Sequence, residues 1–166
     1  MGLEIRRVPP NWEHPRYTKG DANRPEDVGT YRPCYDESYE DARKKWLAEL
    51  WLWLDGKHES QENGYSSDYD YWEYSNTPDR ESYRPAFTEE PTWFQVYETV
   101  SEGCPVTPPF ATKEELVVFL YTHKDFWGQG PRSKETAEAF INDGWVPSMV
   151  VKDGQVFSDM ESAAIK

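Results

Sequence analysis

Positions 68 to 74 read Asp68-Tyr69-Asp70-Tyr71-Trp72-Glu73-Tyr74, three carboxylates set among four rings. Three chemistries suit that mixture. Asp68, Asp70 and Glu73 offer the hard oxygen ligands that a cation such as Ca²⁺ takes, but the run lacks the EF-hand spacing and its fixed glycine. Rings between acids also make a platform on which a sugar or a nucleobase can stack. The third use is docking, because interfaces concentrate their energy on Tyr and Trp anchors. The plain alternative is a solvated loop pinned by its own rings. Docking is the use taken forward, and neither a metal nor a cofactor is expected.

Patterns for bond-making chemistry are scarce. The chain has no GxSxG elbow, Walker loop, dinucleotide fingerprint, HExxH pair or kinase set. His14, His58 and His123 lie far apart and outside zinc-ligand spacings, so they read as surface or packed side chains. Cys104 follows Gly103, but Glu102 beside it opposes a thiolate, and a small buried residue is the expected role. Cys34 and Cys104 read as reduced thiols in a chain with no leader expected, since Met1–Pro10 lacks an apolar core. Acid pairs such as Glu89/Glu90 and Glu114/Glu115 are what 31 acidic residues produce by chance. No catalytic residue is assigned.

The elements that must position these groups can be sketched from the same letters. With 166 residues the chain suits one domain, and the mean hydropathy of −0.93 is offset by 26 aromatic rings. The expectation is an aromatic core under an acidic skin. Residues 35–103 hold 17 acids against 6 bases, which is most of the formal charge of −13. That excess argues against direct binding of duplex DNA. No apolar run is long enough to cross a bilayer.

Leu3-Glu-Ile-Arg-Arg-Val8 alternates as a strand does. Residues 11–34, punctuated by Pro and Gly, read as an irregular surface run. A helix is expected from about Glu37 to Leu54, steadied by Glu40–Lys44 and Asp41–Lys45. It carries one stripe of Tyr39, Ala42, Trp46, Leu50 and Trp53 and a second of Leu47, Trp51 and Leu54. Trp46, Leu50, Trp51 and Trp53 are therefore either core or a face for self-association. Residues 57–91 read as an irregular aromatic and acidic segment inside the single domain 1–166.

Helical spacing returns over Thr92–Val100, and Pro105, Pro108 and Pro109 force an extended crossing after it. Thr112-Lys-Glu-Glu115 is a capping box opening a helix to about Lys124, with Leu116, Phe119, Leu120 and His123 inward. Ser133 starts another, stopped by Gly144. Met149–Phe157 is a hairpin on an Asp153-Gly154 type I′ turn, expected to pair with Leu3–Val8. The class is α+β, about four helices beside a small antiparallel sheet of the N-terminal strand and the C-terminal hairpin.

The blocks Leu3–Pro15, Pro91–Gly103, Pro105–Leu120 and Gly144–Val151 resemble a set of small acidic proteins encoded by tailed bacteriophages and prophages. The likeness covers most of the chain and is loose over 57–85. It carries no activity and no catalytic residue across; members often have Thr at the position of Cys104. What it implies is origin and compartment: a viral protein acting in the cytoplasm of a bacterial host, or packaged in the virion.

Three functions follow as expectations. The first is a non-enzymatic accessory protein that inhibits a host defence or nucleic-acid-handling factor. Its acidic segment would be steered to a basic partner surface, and Tyr69, Tyr71, Trp72 and Tyr74 would anchor it. The second is a small-ligand sponge for a nucleotide, with phosphate held by Arg6, Arg7, Arg16, Arg80 or Arg84. The third is a virion or assembly component that joins copies of itself through the Trp46–Leu54 face.

Overall fold

A computed structural model describes residues 2–64, 69–100 and 102–165. In chain order the first elements are β1 (Leu3–Val8), β2 (Tyr35–Ser38), α1 (Tyr39–Leu54), α2 (Glu59–Glu62) and α3 (Tyr71–Tyr74). Then come β3 (Tyr83–Arg84), β4 (Trp93–Glu98), α4 (Lys113–Thr122), α5 (Lys134–Asp143), β5 (Trp145–Val146), β6 (Met149–Lys152) and β7 (Gln155–Ser158). The chain is thus mixed α/β, and it forms two compact units: Met1–Cys34 with Phe87–Lys166, and Tyr35–Ala86.

The first unit is built on a three-stranded antiparallel sheet in the order β4-β1-β5. β1 pairs with β4 over its full length, from Leu3 opposite Glu98 to Val8 opposite Trp93. The proline-rich run after Gly103 returns along the other edge of β4, with bridges Tyr97–Pro105 and Phe94–Phe110. β4 is therefore a strand bonded along both edges, by β1 and by these bridges, and this corrects the helix expected over Thr92–Val100. The reason lies in its burial: Gln95, Val96, Tyr97 and Glu98 are all buried, so both faces are covered and the alternation that betrays a strand is lost. Its aromatic and β-branched residues then fit the pleated surface.

Polar side chains inside β4 are matched locally. Glu98 accepts from the Val100 and Cys104 backbone amides at 2.8 and 3.0 Å, closing the turn that follows. Gly103 in that turn has φ +90, and a Cβ there would lie 2.7 Å from the Glu98 carbonyl, so only glycine fits.

The capping box forms as expected: Thr112 Oγ1 accepts from the Glu115 amide at 3.1 Å, and the Thr112 amide donates to Glu115 at 3.2 Å. Ser133 caps α5, and Gly144 ends it in the left-handed region. α4 and α5 bury Leu116, Leu120, Ala137, Phe140 and Ile141 against Leu3, Val96, Val106 and Val146. The core of this unit is thus chiefly aliphatic, with Phe140 its one fully shielded ring, and the expected aromatic core is corrected here. His123, expected inward, is exposed and stacks on Phe119 at 5.1 Å.

The hairpin forms with Asp153 and Gly154 both at positive φ, but β6–β7 is a sheet of its own. Pairing with β1 is corrected because both edges of that strand are already taken, by β4 and β5.

In the Tyr35–Ala86 unit, β2 and β3 make a short parallel pair. α1 is capped by Ser38, whose hydroxyl accepts from the Asp41 amide at 3.1 Å. Lys45 pairs with Glu37 at 2.5 Å and Arg80 with Glu40 at 3.8 Å, instead of the pairs expected along the helix. The helices thus divide between the units; α4, α5 and a 3-10 turn over Asp159–Ile165 accompany the three-stranded sheet.

Candidate functional site

The residues singled out between 68 and 74 separate by burial; Asp68 lies outside the described residues. Asp70, Glu73, Tyr69 and Trp72 are exposed, Tyr69 and Trp72 by more than half. Tyr71 is buried, which removes it from the docking anchors. Its ring sits 5.2 Å from Trp46 and 5.6 Å from Trp53. Tyr74 stacks on Trp53 at 4.9 Å and shares a 2.6 Å hydrogen bond with Ser60.

Two indoles of α1 are fixed by their polar ends as well as their faces. Trp46 Nε1 donates to the Ser75 carbonyl at 3.1 Å, and Trp53 Nε1 to the Tyr69 carbonyl at 3.0 Å. The short α3 is held against the first stripe of α1 in this way. His58 completes the cluster. Its Nδ1 accepts from the Ser60 amide at 3.1 Å, so the proton is on Nε2, which faces Glu49 at 3.2 Å. Nothing in the spacing of His58 marks it as a helix cap, because imidazole is outside the usual Ser, Thr, Asp and Asn set.

The second stripe of α1 remains outward. Leu47, Trp51 and Leu54 are exposed, Trp51 to 67 % and Leu54 to 64 %. At about 100° per residue they sit together on one side, roughly 100° round the helix from Trp46 and Trp53. Trp46, Leu50 and Trp53 belong to the covered face, while Trp51 belongs to the open one.

The first unit holds a constellation that the sequence reading did not gather. His14 and Gln95 line a cleft of about 560 Å³ together with Trp12, Arg16, Tyr31 and Phe126. Of the five arginines considered for phosphate, Arg16 is the one that lines it. It lies 3.8 Å over the Tyr31 ring, and Tyr31 stacks on Phe126 at 5.7 Å. Arg6, by contrast, is buried and committed to Glu4 at 2.6 Å and to the carbonyls of Cys34 and Glu102.

The floor of this cleft is a polar network. His14 Nε2 stands 2.7 Å from the Arg32 carbonyl, which only accepts, so Nε2 carries the proton and Nδ1 is bare. Nδ1 faces the Tyr97 hydroxyl at 3.2 Å. That hydroxyl accepts from Trp12 Nε1 at 3.2 Å and donates to Gln95 Oε1 at 3.0 Å. Gln95 cannot turn its amide round, because its Nε2 donates to the Thr107 carbonyl at 2.7 Å. Burial, helped by Arg6, Arg32 and Arg16, pulls the His14 pKa from 6.5 down to about 4, so the ring is neutral at pH 7.

Burial and the neighbouring Glu98 push the Cys104 thiol up to about 12, so it stays protonated at neutral pH. The expectation of a small buried residue at 104 is met. Among the described residues no group of three His, Cys, Asp or Glu is placed to hold a metal ion, and no helix is long and apolar enough to cross a membrane. Comparison with family models, with curated proteins and with solved structures finds no match to this chain.

Proposed function

We propose that this is a non-enzymatic phage accessory protein that binds and inhibits a host cytoplasmic factor through the Tyr35–Ala86 unit. The observation that supports this reading is the outward stripe of Leu47, Trp51 and Leu54 on a unit with 13 acids against 6 bases. Exposed indoles and leucines in a strongly negative field suit a partner whose surface is basic around an apolar centre. A nucleic-acid-handling or defence protein presents such a surface where its own substrate binds. Tyr69 and Trp72 add exposed rings on the same unit, and Asp70 and Glu73 add charge beside them.

Affinity capture from host lysate, comparing the wild type with Trp51→Ala and with Asp70→Asn/Glu73→Gln, tests the reading. One specific protein should be retained by the wild type, released by raised salt and lost from the Trp51 variant. Capture that ignores both variants, or a dimer of this chain that Trp51→Ala dissolves, refutes host-factor binding; the second result assigns the stripe to self-association.

A further inference from the structure

The network under the first unit's cleft is one proton short. The single Tyr97 hydroxyl proton faces two acceptors, Gln95 Oε1 at 3.0 Å and the bare His14 Nδ1 at 3.2 Å. Whichever it serves, the other has no donor among the described residues. A buried acceptor left in that state is unfavourable, so a molecule entering the cleft gains by bringing a donor to it. The internal remedy, protonating His14, is opposed by its burial and by three arginines around it.

We propose that this cleft binds a flat heterocycle of the nucleobase class, whose N–H groups supply the missing donor. Size and walls suit that ligand. A volume of about 560 Å³ falls within the range of small-molecule sites, about 300–1,000 Å³. Phe126 and Trp12 line it with rings on which a base can stack, while Tyr31, covered by Arg16 and Phe126, holds Phe126 in place. Phe126 is half exposed, so its ring is open to a ligand.

The polar floor then selects among flat rings. A purely apolar ring leaves the acceptor orphaned, and a carboxylate adds one acceptor to another. A base with an exocyclic amino group satisfies the acceptor and keeps its ring against the wall. Arg16 at the mouth retains exposed N–H groups for a phosphate attached to such a base. This site is independent of the surface proposed for the host factor, and each can fail without the other.

The experiment is an NMR titration of the full chain with adenosine, guanosine and cytidine, following the Trp12 indole and the His14 ring nitrogens. At least one nucleoside should give saturable shifts at both. Its analogue with both exocyclic N–H groups methylated should bind about tenfold more weakly, the equivalent of roughly 1.4 kcal/mol. Phe126→Ala, a change at a half-exposed position, should weaken binding by a similar factor while leaving the spectrum of the free protein folded. The proposal is overturned if no nucleoside saturates at millimolar concentration. Equal affinity for the methylated analogue overturns it too, as does a His14 ring found doubly protonated at neutral pH, since the network would then complete itself.

Discussion

In the unit formed by residues 1–34 and 87–166, Leu116, Phe140, Val96 and Val106 are wholly shielded from water. The Tyr35–Ala86 unit buries only Ala42, Trp53 and Tyr71 among its described apolar side chains. The first relies on aliphatic area, at about 25 cal/mol per Å² removed from water. The second relies on rings that meet tilted, edge to face or stacked, with two indoles also donating to backbone carbonyls. Trp53 alone meets His58, Tyr71 and Tyr74 within 6 Å and donates to a carbonyl. Rings used in this way tolerate partial exposure, and a unit made from them leaves aromatic surface facing solvent. The same economy that lets a small segment fold leaves it with surface a partner can use.

The comparison is tested most severely in the aliphatic core. Phe140→Ala removes its one wholly shielded ring and should cost about 3–5 kcal/mol, read as a lower urea midpoint with an unchanged slope. A loss under about 1 kcal/mol would mean that the core relaxes around the gap and is less tightly packed than its burial indicates.

Acid provides the next largest effect, and it also acts on the first unit. His14 titrates near 4 when folded and near 6.5 when unfolded, so between those values the unfolded chain holds the extra proton. Stability therefore rises with pH through this window and is lost as pH falls from about 6.5 to about 4. At about 1.4 kcal/mol per unit, the loss attributable to His14 is about 3 kcal/mol. Urea titrations at pH 7 and pH 4.5 on the wild type and on His14→Gln isolate it, because the carboxylates are common to both. An identical pH dependence in the two proteins would show that His14 is not held neutral.

Caps and turns were legible because their signals are local: Thr112 with Glu115, Ser133 with Gly144, and Asp153-Gly154 each act within a few residues. β4 was not, because a strand covered on both faces shows no alternation, and Gln95 and Glu98 interrupt it for partners at Thr107, Val100 and Cys104. In the acidic segment the rings were legible as a group, yet which of them faces inward was not. Tyr71 and Trp72 are neighbours with opposite fates, decided by where α1 places Trp46 and Trp53. The cleft was illegible for a related reason. Its floor joins His14, Arg32, Gln95, Tyr97 and Thr107 across strand pairing that no local pattern announces.

The ring-built unit makes its own prediction at His58, where one side chain both packs and caps. His58→Ala removes its contacts with Trp53, Tyr71 and Tyr74 together with the bond from the Ser60 amide. The expected cost is about 2 kcal/mol, the sum of a cap and an aromatic contact at about 1 kcal/mol each. His58→Phe keeps a ring there and loses the cap, so it should cost about half as much. Equal losses in the two variants would place all the energy in the cap and none in ring packing, and the unit would then not be held by its rings.

The smallest stability effect is expected where the effect on binding is largest. Trp51 is 67 % exposed on the outward stripe of α1, so Trp51→Ala should change the urea midpoint by no more than about 0.5 kcal/mol. A tryptophan exposed to that degree contributes little to the fold that holds it, and its large apolar face is then available to a partner. Trp53→Ala, two residues along on the buried face, provides the control. It should destabilise the protein by about 3–5 kcal/mol. If Trp51→Ala proves as costly as Trp53→Ala, Trp51 is covered in the free protein and the outward stripe is part of its interior. If the midpoint holds while capture of the proposed host factor is lost, the division of α1 into a structural stripe and a binding stripe stands on measurement.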